Sequence, residues 1–170
     1  MNALAAIIHV GASNNTKSLL RFDLTRLPDH AVIDEAILHL YHTGSNNGNT
    51  LTLGAHGVLA EWVAAEADRT QPKNGVNWNA AGMAGGRDYT AAAAAITGAR
   101  NAWIELDVTD LAQTWVSDPS QNHGPVLLPQ AATGSVTYSF CSEPGWTPCT
   151  QAQAPVLKVW HHQPTPEPEP

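Results

Sequence analysis

The sequence is poor in charge, poorer still in cations, and nearly devoid of cysteine. Only 14% of its 170 residues are charged, and 8 Lys and Arg stand against 15 Asp and Glu, for a net charge of -7. Duplex nucleic acid requires a basic footprint to displace counterions from phosphates, so this balance speaks against a nucleic-acid partner. No apolar run approaches the roughly 18 residues that a helix needs to cross a bilayer, which argues against membrane insertion. The catalytic signatures His-Glu-x-x-His and Gly-x-Ser-x-Gly and a phosphate-binding glycine loop are all missing. The two cysteines, Cys141 and Cys149, enclose Ser142-Glu143-Pro144-Gly145-Trp146-Thr147-Pro148. That spacing is neither a Cys-x-x-Cys redox pair nor half of a zinc site, and no further Cys or His pair completes one. A Pro/Gly turn brings such cysteines within disulfide reach in an oxidising compartment, the alternative being two buried thiols.

What is present is strand pattern. With 43% apolar residues in patterned runs, the chain is long enough for one domain with a substantial core and is not disordered. Ser18 to Leu24 alternates, with Leu20, Phe22 and Leu24 on one face. Arg21 beside Asp23 reads as an ion pair on a sheet surface. Val32 to Thr43 alternates over a longer span, with Ala36, Leu38 and Leu40 opposite Ile37, His39 and Tyr41. Shorter strands are expected at Leu51–Leu53, His56–Trp62, Val126–Leu128, Val136–Phe140 and Val156–Trp160, and Met1–Val10 reads as a strand rather than a signal peptide. In Trp103–Val108, Ile104, Leu106 and Val108 point inward while Trp103, Glu105 and Asp107 point outward. Only Val108, Leu111, Ala112, Trp115 and Val116 keep helical spacing, with Thr109 as candidate cap and Asp118-Pro119 as the stop. Ala91–Ala95 favours helix by propensity but is too short to hold one alone. Many short strands separated by turns predict an all-β antiparallel sandwich or jelly roll with one short helix. The domain is expected over 1–162. Residues 163–170, with alternate prolines, read as an extended spacer of the kind that joins secreted modules.

Several segments together resemble the DNRLRE-type domain, a β-sandwich module of secreted and cell-surface proteins, part of which is classed as a carbohydrate-binding module. They are Ser18-Leu19-Leu20-Arg21-Phe22-Asp23-Leu24 with Leu27-Pro28, Ala36-Ile37-Leu38-His39-Leu40-Tyr41, and Val76-Asn77-Trp78-Asn79. Leu106-Asp107-Val108-Thr109, Trp115, Asn122-His123-Gly124, Tyr138-Ser139-Phe140-Cys141-Ser142-Glu143 and Ala154-Pro155-Val156-Leu157-Lys158-Val159 follow in order. The resemblance implies a non-catalytic, extracellular module appended to enzymes or surface proteins, with uronic-acid polymers such as alginate among its ligands. Members usually carry an earlier strand before the segment where Met1 stands, so a sheet edge is expected to be unfilled and open to self-association. The second reading is therefore a structural or adhesive module of a stalk, filament or virion fibre.

Sugar rings present C–H faces that stack on flat aromatics and hydroxyls that need planar polar partners. Six of the eleven aromatic residues are Trp, so the candidate ligand platforms are Trp146 at the tip of the cysteine loop, Trp62 after a strand, and Trp78. Trp78 also reads as a structural plug and Trp115 as core. Trp103 and Trp160 share strand faces with Glu105 and Lys158, so one or both are expected to be half exposed. Carboxylate-bearing sugars require cationic forks, for which Arg69, Lys73 and Arg87 in the long 66–90 connection are the candidates, with Arg100 and Lys158 in reserve. The acidic total opposes a polyanion unless these cluster. The Cα atoms of Glu105 and Asp107 lie about 6.5 Å apart on one strand face, which lets their carboxylates fall within the span used by glycosidase pairs, yet an outward polar face with Asp107 capping the helix explains them more simply. No cofactor is implied. A structural calcium suits Asp- and Asn-rich loops, but no Asp-x-Asp-x-Asp-Gly spacing marks a site.

Overall fold

The structure, a computed structural model, describes residues 7–12, 15–97, 101–142 and 149–164. In chain order the strands are β1 (Ile7–Gly11), β2 (Ser18–Leu19), β3 (Val32–Ser45), β4 (Leu51–Val58), β5 (Tyr89–Thr97), β6 (Ala102–Asp107), β7 (Pro125–Ala132), β8 (Thr137–Cys141) and β9 (Val156–His162). One helix, α1 (Thr109–Ser117), separates β6 from β7. Among the described residues these strands all pair antiparallel with one another. Five strands form one sheet in the order β1-β8-β3-β6, with β9 also on β3, and four form the other in the order β2-β7-β4-β5. β3 is long enough to take β9 along Val32–His39 and β8 along His42–Ser45, while β6 pairs with Ile37–His42 on its opposite edge.

The core lies where the alternation places it. Leu38, Leu40, Ile104, Leu106, Val10 and Phe140 from the first sheet meet Leu51, Leu53 and Leu127 from the second, all fully buried. At about 1.5–3 kcal/mol per buried large aliphatic side chain, this interface dominates the folding free energy. Leu111, Ala112 and Trp115 of α1 complete it at one end, with Leu111 packed where Gly57 of β4 has no side chain. The entry to α1 is pinned by Asp107, whose Oδ1 accepts from Thr109 N (3.0 Å) and Thr109 Oγ1 (2.6 Å), while Thr109 Oγ1 accepts from Ala36 N (2.9 Å). Thr109 is thus the first helical residue rather than the cap, and its hydroxyl stitches α1 to β3.

Three local expectations change. Only Ser18–Leu19 of the segment to Leu24 is strand. The stretches at Leu51 and His56 are one strand, β4, with register shifts around His56 where β5 joins. Ala91–Ala95 is strand, because β4 offers its backbone a row of partners and pairing outweighs a weak alanine preference for helix.

Candidate functional site

The two sheets each have an outward face, and the chain treats them differently. The connection 59–88 folds back over the outward side of the four-stranded sheet. There Trp62, Trp78 and Met83 pack on Val58, Val126 and Leu128 in a second, smaller core. Both indoles donate to backbone, Trp62 Nε1 to His123 O (2.7 Å) and Trp78 Nε1 to Asp68 O (2.9 Å). The connection is held by two carboxylates. Buried Asp88 accepts from Asn79 N, Ala80 N and Ala84 N, and Asp68 Oδ1 accepts from Thr70 N, Thr70 Oγ1 and Gln71 N. Arg21 does not pair with Asp23. Its Nη2 donates to Trp62 O (3.0 Å) and its guanidinium lies 4.8 Å from the Trp62 ring, while Asp23 takes Thr25 N and Oγ1.

Among the described residues no segment covers the outward side of the five-stranded sheet. Register sets Tyr41 opposite Trp103, His39 between Glu105 and Val156, Ile37 between Asp107 and Lys158, and Glu35 opposite Trp160. Trp103 is 43% exposed and Trp160 49%, and Val32 and Val156 are exposed on the same face. Tyr41 meets Trp103 edge-on at 5.4 Å and His39 meets it edge-on at 6.3 Å. From Glu35 to Tyr41 the strand runs about 20 Å, and the two strands flanking β3 are about 10 Å apart, so the two indoles sit at opposite corners of an extended platform. Beyond Tyr41 the face turns polar. His9, Thr43, Gly44, Ser45, Asn46, Thr137 and Ser139 line an open groove of about 480 Å³. His9 Nδ1 lies 3.0 Å from Ser139 Oγ, and Thr43 Oγ1 donates to Ser139 O (3.0 Å).

His39 is nine-tenths buried; its Nδ1 stands 3.3 Å from Glu105 Oε1, and its Nε2, itself buried, has no hydrogen-bond partner among the described residues. Asp107, two residues along, is held below the usual carboxylate range by the Thr109 hydroxyl and then by the Thr109 amide. The Glu105/Asp107 pair is therefore engaged locally: one acid faces a histidine, the other ties down the start of α1.

The residues singled out in the sequence fall into separate places. Trp62 and Trp78 are in the small core, and Trp146 lies outside the described residues, as does Arg100. Lys73 Nζ pairs with Glu61 Oε2 at 2.7 Å. Arg69 and Arg87 are exposed on the covering connection. Arg69 stands close to Gly82, whose carbonyl takes a hydrogen bond from Lys17 Nζ (2.6 Å). Burial lowers the Lys17 pKa, Asp88 raises it in part, and Arg69 lowers it again, so these two cations feel each other. Cys141 and Cys149 form the disulfide. Trp103 and Trp160 are half exposed, as their strand faces require; Tyr41 joins them, its outward position set by the alternation of β3. Among the described residues no cluster of His, Cys, Asp and Glu is built to hold a metal ion, and no helix is long and apolar enough to cross a membrane.

The structure is thus a two-sheet antiparallel sandwich whose five-stranded sheet presents half-exposed indoles beside hydroxyl, amide and imidazole groups. The chain belongs to carbohydrate-binding module family 96, whose description matches residues 4–145. That membership is compatible with the DNRLRE resemblance and places the protein in a class that binds carbohydrate and is typically non-catalytic. Among curated proteins none matches the chain.

Proposed function

We propose that this chain is a non-catalytic, extracellular module that holds a polysaccharide along the open face of the five-stranded sheet. The observation that carries this reading is the contrast in tryptophan exposure: Trp103 and Trp160 stay half exposed on an uncovered face, whereas Trp62 and Trp78 are sealed with their N–H groups satisfied. Burying a half-exposed indole against the C–H face of a sugar recovers part of the hydrophobic gain the fold leaves unused. The groove from His9 to Ser139 offers hydroxyl, amide and imidazole partners for the next sugar along. On this reading Trp62, Trp78 and Lys73 support the covering connection instead of touching ligand. The disulfide and the family both suit a secreted or cell-surface setting, with 1–162 as the binding body and 163–170 as a spacer.

Affinity electrophoresis through gels containing polysaccharides tests it. Wild-type protein is expected to be retarded by at least one polymer, and the Trp103→Ala/Trp160→Ala double variant to run free. Failure of every polysaccharide to retard the wild type removes the reading. A second reading rests on Val32 and Val156, exposed aliphatics on the same face that are poor sugar platforms: the face joins copies of the chain, as in a stalk or filament. Sedimentation showing monomers at all concentrations disposes of that.

A further inference from the structure

We infer that Lys17 and Arg69 form a subsite for negatively charged groups of the polysaccharide, reached from the open face through the polar groove. The inference rests on the site proposed above and extends it past the edge of the five-stranded sheet. The groove reaches β1, the last strand of that sheet, at His9. There Ser18 Oγ donates to His9 O (2.9 Å), which ties β1 to the start of β2 at the seam between the two sheets. Lys17 is the residue before Ser18, so the groove leads to an ammonium group. Three strand spacings, about 14 Å, separate Trp103 on β6 from this seam. The groove lining of His9, Thr43, Ser45, Asn46, Thr137 and Ser139 carries no carboxylate, so an anionic chain crosses it without like-charge opposition.

The two cations are placed by the fold and left without an acid. Lys17 Nζ donates to Gly82 O (2.6 Å) and Met83 O (2.8 Å) and lies 5.5 Å from the centre of the Tyr89 ring. Carbonyls and a ring fix the side chain but do not neutralise it, and one ammonium hydrogen is left over. Arg69 stands across Gly82: its Nε lies 3.9 Å from where a Gly82 Cβ would be, and the space over that glycine is otherwise open. Among the described residues no carboxylate comes within ion-pair distance of either cation, whereas Lys73 has Glu61. Asp88 acts on Lys17 from a distance but is fully buried, its oxygens taken by the amides of Asn79, Ala80 and Ala84. Asp68, beside Arg69 in sequence, has Oδ1 turned to Thr70 and Gln71. Two like charges held over a residue without a side chain repel each other, and an anion between them turns that repulsion into attraction. A carboxylate or a sulfate ester can accept from the guanidinium fork and the spare ammonium hydrogen at once.

The experiment runs affinity electrophoresis through gels of alginate, polygalacturonate, sulfated galactan and neutral galactan, at low and at high salt. Arg69 is exposed, so its variants are expected to fold as the wild type does. Retardation by an anionic polymer is expected to weaken with salt and to fall about tenfold in Arg69→Gln, the size of one charged hydrogen bond. Arg69→Lys should recover part of it, and Arg26→Gln, an exposed cation in the turn before β3, should lose none. Lys17→Gln is expected to lose as much as Arg69→Gln; should it unfold, Arg69→Gln decides alone. Retention by carboxylated polymers only, or by the sulfated one only, names the anionic group, and both support the subsite. Equal retardation of wild type and Arg69→Gln, or an equal loss in Arg26→Gln, overturns the inference; if the Trp103→Ala/Trp160→Ala variant still runs free, the open-face site stands without it. Retardation by neutral galactan alone, indifferent to salt, has the same meaning. Anionic retardation that ignores the tryptophan variant overturns both the path and the open-face reading. No retardation by any polymer removes the two together.

Discussion

The two outward faces are built from the same kind of strand and carry the same conspicuous residue, yet they end in opposite states. On the four-stranded sheet a thirty-residue connection returns to cover Val58, Val126 and Leu128, and its two indoles enter a dry pocket with each N–H on a carbonyl. On the five-stranded sheet nothing described returns, and Trp103 and Trp160 stay in water. Tryptophan on a β-sandwich is therefore not in itself a ligand platform. Its fate depends on whether a chain segment arrives with both apolar cover and a backbone acceptor for the indole.

The sharpest way to break this comparison is to truncate one indole from each face. Trp62→Ala or Trp78→Ala empties a packed site and orphans a carbonyl, and is expected to cost about 3–5 kcal/mol in urea denaturation. Trp103→Ala and Trp160→Ala are expected to stay within about 1 kcal/mol, because their rings are already half solvated, and to act on glycan retention instead. Equal stability losses on the two faces would abolish the distinction.

A smaller loss is expected at the seat of the covering connection. Gly124 adopts φ +74°, and a Cβ there would collide with the Leu20 carbonyl oxygen and Arg21 Cα. It also follows His123, whose carbonyl receives Trp62, and its own oxygen accepts from Val58 N (3.0 Å). Gly124→Ala is expected to destabilise by about 2–4 kcal/mol and to raise the exposure of Trp62, read as a red shift in its fluorescence. The open sheet has its own device. Cys141, at the end of β8, is tied to Cys149 across eight residues. Closing so short a loop restrains the unfolded chain by about 2–3 kcal/mol. The Cys141→Ser/Cys149→Ser variant should lose that much stability while Trp62 emission in the native state stays unchanged.

The parts of this design that a reader of the sequence can see are those with side-chain alternation. β3, β6 and β9 announce both their strand character and their outward residues, so the half exposure of Trp103 and Trp160 follows from Glu105 and Lys158 on the same faces. β4 and β5 are harder, since Gly54, Gly57 and the alanine run carry no side chain whose alternation can be read, and their pairing is supplied by each other. The connection 59–88 shows no period at all. Its shape comes from backbone amides converging on Asp88 from nine, eight and four residues away in sequence, a pattern without a local motif. That is why Trp62 stays ambiguous and Trp78 reads as either platform or plug: nothing near them in sequence reveals what covers them. One local signal does recur. Asp23-Leu24-Thr25, Asp68-Arg69-Thr70, Asp107-Val108-Thr109 and Asp118-Pro119-Ser120 each close a turn through an aspartate accepting from the hydroxyl and amide two residues on.

Those four turns and His123 respond to different ranges of acid. His123 has its pKa lowered, first by burial and then by the Arg21 charge, with Glu61 opposing. A lowered histidine pKa means that the unfolded chain binds the proton more readily, so this contribution is complete above about pH 6.5 and is lost as pH falls below it. It acts where Trp62 and Arg21 meet, on the covered face. The aspartates are also lowered, chiefly by hydrogen bonds from the Thr25, Thr70, Thr109 and Ser120 hydroxyls. Their contributions are present above about pH 3.9 and disappear only as pH falls through the lowered values. Denaturation midpoints at about pH 7.5, 5 and 3 should therefore fall in two stages. Trp62→Ala, which opens the contact around His123, should flatten the first stage and leave the second. A single drop confined to the most acid step would show that His123 feels no burial from the covering connection, and the contrast between the two faces would then rest on packing alone.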